Sequence, residues 1–371
     1  MSVAQPAVRP AVRYKPEFEQ VAPDEVETTQ GLIETLSKIQ RKVYEDSSHG
    51  ERGVHAKSHG LLAGELTVLD GLAVELAQGL FATRASYPVV MRLSTIPGDV
   101  LDDAISTPRG MALKVIGVPG ERVAGSEAQV TQDFLFANGP VFAAPGPKKF
   151  LGSLKLLAAT TDRAPGLKKV LSSVMRGAEK ALESVGGQSS TLLTLGGYPE
   201  INPLGDTYYS QAPVLFGNYM AKICMVPTSA SLRALIKAPV DLEGKPDGLR
   251  EAVSEFFRTQ SAEWELRAQL CTDIDAMPIE DASKPWPEED SPYRAVARVV
   301  LGPQSSWNEA RKASIDEGMA FNPWHALAAH RPLGAVMRVR KQVYEVTSRL
   351  RAQRNGRVFA EPRSAADLKL G

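Results

Sequence analysis

The chain has 371 residues, enough for one large barrel or for two modest domains. Its 43 basic residues balance its 43 acidic residues, and without a stripe of lysine and arginine a nucleic-acid partner is not expected. No apolar stretch is long enough for a signal peptide or a membrane segment, so we expect a soluble, cytoplasmic protein.

The chain begins with a proline- and valine-rich segment that is followed by a helical pattern. Residues 1–26 are predicted to form an extended arm that wraps a neighbouring molecule or stays mobile. From Glu27 to about Tyr44, behind the capping residues Thr28 and Thr29, apolar residues recur at helical spacing. They predict a surface helix whose apolar face consists of Leu32, Ile33, Leu36, Ile39 and Val43.

Short runs of alternating apolar and polar residues, separated by Gly and Pro, predict an antiparallel sheet. They occupy 54–118, which includes the run ELTVLDGLAVEL, then 208–226 and 264–301. Between the first two sets, Lys148 to Val185 is predicted to be helical, with an apolar face of Leu151, Leu154, Leu156, Leu157, Val170, Leu171 and Val174. Strands are therefore expected to dominate the core.

The chain is expected to become helical again after Pro303. The turn-forming run HRPLG precedes a last helix of about residues 335–352. Its apolar stripe consists of Val336, Val339, Val343, Val346 and Leu350. The two cysteines, Cys224 and Cys271, lie in apolar strand-like runs without the spacing of a zinc site, so both are expected to be reduced thiols in the core.

Five histidines occur, and His55 is singled out by its position in the run GERGVHAKSHG. If the strand begins here, His55 and Lys57 share one face and Val54 points to the other. Taken alone, a single histidine of this kind is more often structural than catalytic.

Arg92 and Ser94 share one face of the apolar run VVMRLSTI. A buried arginine is costly unless it meets an anion, because it loses its hydration. Taken alone, this pattern favours a salt bridge to a nearby carboxylate.

On the last helix, Arg340, Tyr344 and Arg351 fall close to one face. A guanidinium beside a phenol stabilises the phenolate, which makes the oxygen a usable ligand for ferric iron. Taken alone, such a pair is more often a surface contact.

Seven segments in order resemble the haem catalases. RGVHAKSHG resembles the stretch in which a distal histidine follows a valine, MRLST the Arg-Phe-Ser-Thr strand, and TPRGMALKV the next barrel strand. DFLFANGPVF, with Phe150, resembles the distal asparagine region and the phenylalanine over the haem. ELRAQLCT, IEDASKPWPEEDSPYRAVARVVL and RVRKQVY resemble the remaining barrel strand, the Trp-Pro crossover and the proximal-tyrosine helix.

The resemblance spans about residues 50–351 and implies an α+β fold. It predicts a catalase-like antiparallel β-barrel with surrounding helices and with haem buried between the barrel and the C-terminal helix. The haem domain is expected to cover 27–355, with a C-terminal tail at 356–371.

The resemblance also implies heme b, ferric iron protoporphyrin IX, as the cofactor and gives roles to the residues above. Tyr344 is the expected iron ligand, and Arg340 keeps it ionised. His55 is the distal acid-base, with Ser94 and Asn138 as the other catalytic candidates. Arg52, Arg92 and Arg351 are expected to hold the haem propionates, and the other cofactor contacts are Val54, Phe142 and Phe150.

The chain departs from the catalase pattern at several points. Ala137 stands where catalases have the catalytic asparagine, and Asn138 follows it, so Asn138 is either displaced or reaches the site through a bulge. Val343 and Glu345 replace a small residue and a proline. We expect the chain to lack the long N-terminal extension and much of the C-terminal helical part of the large catalases, so an NADPH site is not expected with them.

The implied function is haem-dependent breakdown of hydrogen peroxide or organic hydroperoxides through a ferryl intermediate, by a catalase or a peroxidase in oxidative-stress defence. The expected partners are a small peroxide, an organic electron donor and further copies of the chain. Two alternatives are an allene oxide synthase-like rearrangement, which Val54 disfavours because those enzymes place threonine there, and a non-catalytic haem-binding barrel.

Overall fold

A computed structural model describes residues 9–158 and 198–371 of the chain. The predicted helix Lys148 to Val185 is described only in its first part, as Pro147–Ala158. The rest of that prediction, including Val170, Leu171 and Val174, lies outside the described residues.

Eight antiparallel strands close into a barrel, which confirms the predicted fold class. Around the barrel the order is β5-β4-β3-β2-β1-β9-β8-β7, and the pairing of β5 with β7 closes the ring. The short strand β6 pairs with the first part of β7. The strands are β1 Ser58–Val68, β2 Ser86–Thr95, β3 Arg109–Ile116, β4 Thr131–Ala137, β5 Tyr208–Tyr209, β6 Val214–Phe216, β7 Tyr219–Pro227, β8 Ala262–Leu270 and β9 Arg294–Leu301.

Apolar side chains that alternate with outward-facing residues fill the barrel. In β8, Trp264, Leu266 and Ala268 are fully buried, whereas Glu263 and Glu265 are partly exposed. This period of two places one face of each strand in the core. Full burial of a side chain as large as Leu266 stabilises the fold by about 2 kcal/mol.

Helices cover the outside of the barrel, and the first and last of them pack against each other. Their contact is a second, smaller apolar layer that includes Leu32, Leu36, Val339 and Val343. Within the described ranges, no helix has the length and apolar character that crossing a membrane requires. In the described part of the chain the α-helices are α1 Glu25–Ser47, α2 Pro147–Ala158, α3 Ala230–Arg233, α4 Gly248–Phe257, α5 Glu309–Arg311 and α6 Ala335–Arg354.

Two expectations about these elements are wrong, and one strand was not among the predicted sets. The run ELTVLDGLAVEL does not form one strand, because β1 ends at Val68 and the chain then turns. After Pro303 the chain is helical only in short turns until α6 begins. The run DFLFA, which lies outside the predicted strand sets, forms β4 and pairs with β3.

The N-terminal segment packs against the chain's own barrel, so the expectation of a mobile arm is wrong for residues 9–24, and the wrapping of a neighbouring molecule stays a prediction. The Val12 amide donates to the Cys271 carbonyl at 2.8 Å, and the Tyr14 amide donates to the Asn218 carbonyl at 2.8 Å. These contacts fix the segment that leads into α1.

Both cysteines are free and buried, as expected. Cys224 lies in β7 and Cys271 follows β8 directly. Burial raises the pKa of both thiols, so neither is a ready nucleophile at neutral pH.

His330 lies in an aromatic cluster that belongs to the barrel core. Its ring centroid is 5.3 Å from that of Phe81, 6.3 Å from that of Phe134 and 5.4 Å from that of Phe216. Its Nε2 accepts a hydrogen bond from the Leu80 amide at 2.9 Å, which requires the neutral ring. His330 is therefore a structural histidine.

Lowering the pH is expected to destabilise the fold through His330. Burial lowers the pKa of His330 to about 4 from an ordinary value of 6.5. As the pH falls, the unfolded chain binds the proton first, so stability that is complete above pH 6.5 is lost as the pH falls toward 4.

Between about pH 7 and pH 5, the free energy of unfolding of the wild type should fall by about 2 kcal/mol more than that of His330→Gln, whose amide can still accept from Leu80. Urea titrations of both proteins at the two pH values measure this difference. If the free energy of unfolding fell equally in the two proteins, His330 would not be the buried neutral histidine described here.

Candidate active site

His55 lies in the loop between α1 and β1 rather than in a strand. Its backbone is left-handed, with φ of 56°. Its amide donates to the Ile96 carbonyl at 2.7 Å, which joins the loop to the end of β2. The expectation that His55 and Lys57 share a strand face is therefore wrong, because β1 begins only at Ser58.

The imidazole of His55 is positioned by Ser94 and Gly110. Its Nδ1 is 3.1 Å from the Ser94 hydroxyl oxygen. A Cβ atom on Gly110 would lie only 2.4 Å from His55 Cε1, so the ring rests against the bare backbone of β3. The two strands bring these groups together because Ser94 pairs directly with Gly110.

His55 is neutral at ordinary pH. Burial, and to a smaller extent the positive charges of Arg92, Arg340 and Arg52, together lower its pKa to about 3. With Nδ1 held by Ser94, its Nε2 makes no hydrogen bond to any residue of 9–158 or 198–371. A neutral imidazole with a free nitrogen is able to accept a proton.

Tyr344 and Arg340 form a hydrogen-bonded pair one turn apart on α6. The Arg340 Nη2 donates to the Tyr344 hydroxyl oxygen at 2.7 Å. Arg340 is also one of the charges that act on His55. The pair predicted on the last helix therefore exists, and it lies within electrostatic range of the histidine loop.

The three predicted arginines meet at one buried residue, Asp316, two of them at its carboxylate and one at its backbone carbonyl. Arg52 Nη1 is 2.8 Å and Arg92 Nε is 2.5 Å from the same oxygen, Asp316 Oδ1. Arg351 donates to the Asp316 carbonyl and to the Met319 carbonyl. In this structure the anion that Arg92 requires comes from the chain itself.

The arginine cluster is tied to the histidine loop. Arg92 Nη2 donates to the His55 carbonyl at 2.9 Å and to the Ala56 carbonyl at 3.1 Å. Since Arg92 and Ser94 lie on one face of β2, a single strand supports both the backbone and the ring of His55.

The apolar residues predicted to contact the cofactor, Val54, Phe142 and Phe150, lie near one another beside α6. The rings of Phe142 and Phe150 have centroids 4.9 Å apart, at 51° to each other. Phe150 and Val54 pack against the apolar layer that contains Val343. Val54 and Phe150 therefore border the helix that carries Tyr344.

Asn138 lies at the end of β4 with its amide engaged in three hydrogen bonds. Its Oδ1 accepts from the Arg109 amide at 2.8 Å, and its Nδ2 donates to Tyr198 at 2.7 Å and to Asp206 at 2.9 Å. Burial raises the pKa of that Asp206 carboxyl to about 6.

Ala137, rather than Asn138, pairs with Gly110 and shares its face of the sheet beside His55. None of these contacts joins Asn138 to His55. A catalytic role for Asn138 therefore stays a prediction.

Two residues of the site were missed by sequence reasoning. Gly110 carried a usable signal, because a glycine inside a strand pattern often marks a close approach to the backbone. Asp316 carried no local signal, since it is 264 positions from Arg52 and 224 positions from Arg92.

No family model matches the sequence, and no curated protein matches it either. Among solved structures, the chain is similar to a fungal catalase with a TM-score of 0.60 and 19% identity, over 83% of this chain and 60% of that one. It is similar to catalase A from Saccharomyces cerevisiae with a TM-score of 0.58 and 18% identity, over 94% and 68%. A bacterial catalase matches with a TM-score of 0.57 and 17% identity, over 94% and 64%.

The chain has the catalase fold. This confirms the predicted resemblance at the level of architecture, with the closed barrel and its surrounding helices. The chain spans 60% to 68% of the length of these catalases. At identities of 17% to 19% the likeness concerns the fold, so the chemistry of the site has to be argued from its own residues.

Proposed function

We propose that this catalase-fold protein binds heme b and breaks down hydrogen peroxide or organic hydroperoxides. The observation that carries the proposal is that a neutral His55, held by Ser94, lies within electrostatic range of the Arg340–Tyr344 pair on α6. A barrel that only binds an apolar ligand has no need for both an imidazole and an arginine-bound phenol at one site.

The residues present fit such a cofactor. The cluster contains three guanidinium groups and one carboxylate, that of Asp316, so its net charge is +2. A ligand with two carboxylates would neutralise this charge. Arg52, Arg92 and Arg351 would therefore hold the propionates, and Tyr344 would be the iron ligand with Arg340 stabilising its anionic form. Val54, Phe142 and Phe150 would supply apolar contacts.

When bound, haem supplies a redox-active ferric iron at which the peroxide O–O bond is cleaved. In this proposal His55 transfers the proton. Its Nε2 accepts the proton from one peroxide oxygen and returns it to the departing oxygen, which leaves as water. Ser94 holds the ring through Nδ1, so that Nε2 remains the exchanging atom.

Oxygen evolution distinguishes the two forms of this activity. The protein is reconstituted with ferric haem and supplied with hydrogen peroxide, with and without an organic electron donor. Oxygen release without a donor supports a catalase, and donor oxidation without oxygen release supports a peroxidase. A haem-loaded protein that did neither would be a silent binder and would contradict the proposal.

Several wider expectations stay predictions. They are the oxidative-stress role, the cytoplasmic location, the association with further copies of the chain, and the part of Asn138 as a distal amide.

Replacing Gly110 by alanine is expected to displace His55. The new Cβ would lie 2.4 Å from His55 Cε1 and 2.5 Å from Nδ1, so the ring must leave its place beside Ser94. We expect peroxide cleavage to slow by about tenfold or more, since a small misplacement of a reacting group is costly. Haem content, read from the Soret absorbance, should be retained.

Gly152→Ala is the matched control, because a Cβ there meets open space. Its cleavage rate should equal that of the wild type. A Gly110→Ala protein with the full wild-type rate would show that the ring position does not matter.

A further inference from the structure

Asp316 ends a π-helical turn, Lys312–Asp316, directly beneath the arginine cluster. Its Oδ1 accepts from Arg52 and Arg92, and its Oδ2 accepts from the Ser58 hydroxyl at 2.5 Å. Such turns are rare and occur frequently at functional sites. The side chain of Asp316 is only 12% exposed.

The backbone carbonyl of Asp316 also binds arginines of the cluster. Its carbonyl accepts from Arg52 Nη2 at 2.9 Å and from Arg351 Nη1. One residue therefore binds guanidinium groups from three separate elements: the loop before β1, strand β2 and helix α6.

The charges of the cluster do not balance. Arg52, Arg92 and Arg351 bring three positive charges and Asp316 brings one negative charge, within a nearly closed environment. Two further carboxylates act on Arg351 from a distance: Glu51, whose pKa burial raises, and Glu317, which faces His49 at 3.3 Å and Arg357 at 3.6 Å. Within the described residues, neither forms an ion pair with an arginine of the cluster. A buried excess of positive charge is costly, and a ligand with two carboxylates removes it.

We propose that Asp316 is a counterion built into the cofactor site. It holds the three arginines together before the cofactor arrives, and it cancels one of their charges. It thereby weakens the attraction for the cofactor's two carboxylates, which favours exchange of the cofactor over permanent retention. This inference rests on the proposed function, and Asp316 is a positioning residue in it.

Asp316→Asn is the variant of choice. The amide keeps the Oδ1 atom that accepts from Arg52 and Arg92, and its new N–H groups can donate to Ser58. The substitution therefore removes the negative charge and keeps the shape of the side chain. The variant apoprotein should melt at a lower temperature than the wild-type apoprotein, because the three arginine charges then lack the Asp316 counterion.

Titrations with ferric haem and with its dimethyl ester, which lacks both carboxylates, test the proposal by the Soret band. The ratio of the two dissociation constants reports how strongly the site prefers the carboxylates. In Asp316→Asn we expect this preference to rise by about tenfold or more, because one repulsive charge near the propionates is gone. An unchanged or smaller preference would overturn the proposal.

Glu361→Gln is the matched control. Glu361 is also 12% exposed and binds a buried cation, but that cation is Lys114 rather than an arginine of the cluster. The preference of the Glu361→Gln protein for haem over the ester should match that of the wild type. A rise as large as in Asp316→Asn would mean that any lost carboxylate has this effect, which contradicts a specific role for Asp316.

If apo Asp316→Asn does not fold, the protein is refolded with haem and haem transfer to excess apomyoglobin is timed. We expect transfer to be slower than from the wild type by about tenfold, because affinity differences appear mainly in the dissociation rate. Equal or faster transfer would overturn the inference. A wild-type chain that bound neither haem nor the ester would instead remove the proposed function itself.

Discussion

Replacing Tyr344 by phenylalanine is expected to abolish haem retention or to shift the haem spectrum. The substitution removes the hydroxyl oxygen that accepts from Arg340 and keeps the ring in place. That oxygen is the anionic ligand that the proposal provides for ferric iron, so the substitution removes it. Haem content and absorption spectrum after gel filtration measure the outcome.

Tyr44→Phe provides the control for this prediction. Tyr44 on α1 also lies beside an arginine, with the Arg354 guanidinium 5.2 Å from its ring centroid, but it has no part in the proposed site. This variant should hold haem as the wild type does. If Tyr344→Phe kept both full haem content and an unaltered spectrum, Tyr344 would not be the iron ligand.

Replacing His55 by alanine is expected to leave haem bound and to remove rapid peroxide cleavage. The imidazole is the only proton acceptor that the proposed mechanism uses, and general acid-base groups contribute about 10²- to 10⁴-fold to a rate. Rapid mixing of the haem-loaded protein with hydrogen peroxide measures the loss.

His49→Ala is the control for His55→Ala. His49 lies in the same loop, but its Nε2 faces Glu317 at 3.3 Å rather than Ser94. Its cleavage rate should stay close to that of the wild type. Full activity in His55→Ala would show that the distal assignment is wrong.

Local periodicity is what made much of the fold predictable. The last helix was expected at about 335–352 and extends over Ala335–Arg354, because its apolar stripe repeats at helical spacing. The alternation in β8 and β9 predicted their strands in the same way. The run ELTVLDGLAVEL misled because its alternation continues past Val68, where the chain turns out of the sheet.

The site was predictable only where one element carries the whole arrangement. Arg340 and Tyr344 are one helical turn apart, so their contact follows from spacing alone. The left-handed backbone of His55 and the anion at Asp316 depend on distant segments that meet only after folding. Sequence therefore indicated that Arg92 needs an anion, and not which residue provides it.

The proposed function depends above all on Tyr344 of α6, which would bind haem iron as an anionic phenol while His55 would transfer the proton. The absorption spectrum of the purified wild-type chain, produced with ample iron and porphyrin precursor, tests this most directly. We predict a stoichiometric Soret band with the features of tyrosinate-bound ferric haem. A colourless protein that stays colourless after incubation with ferric haem would contradict it.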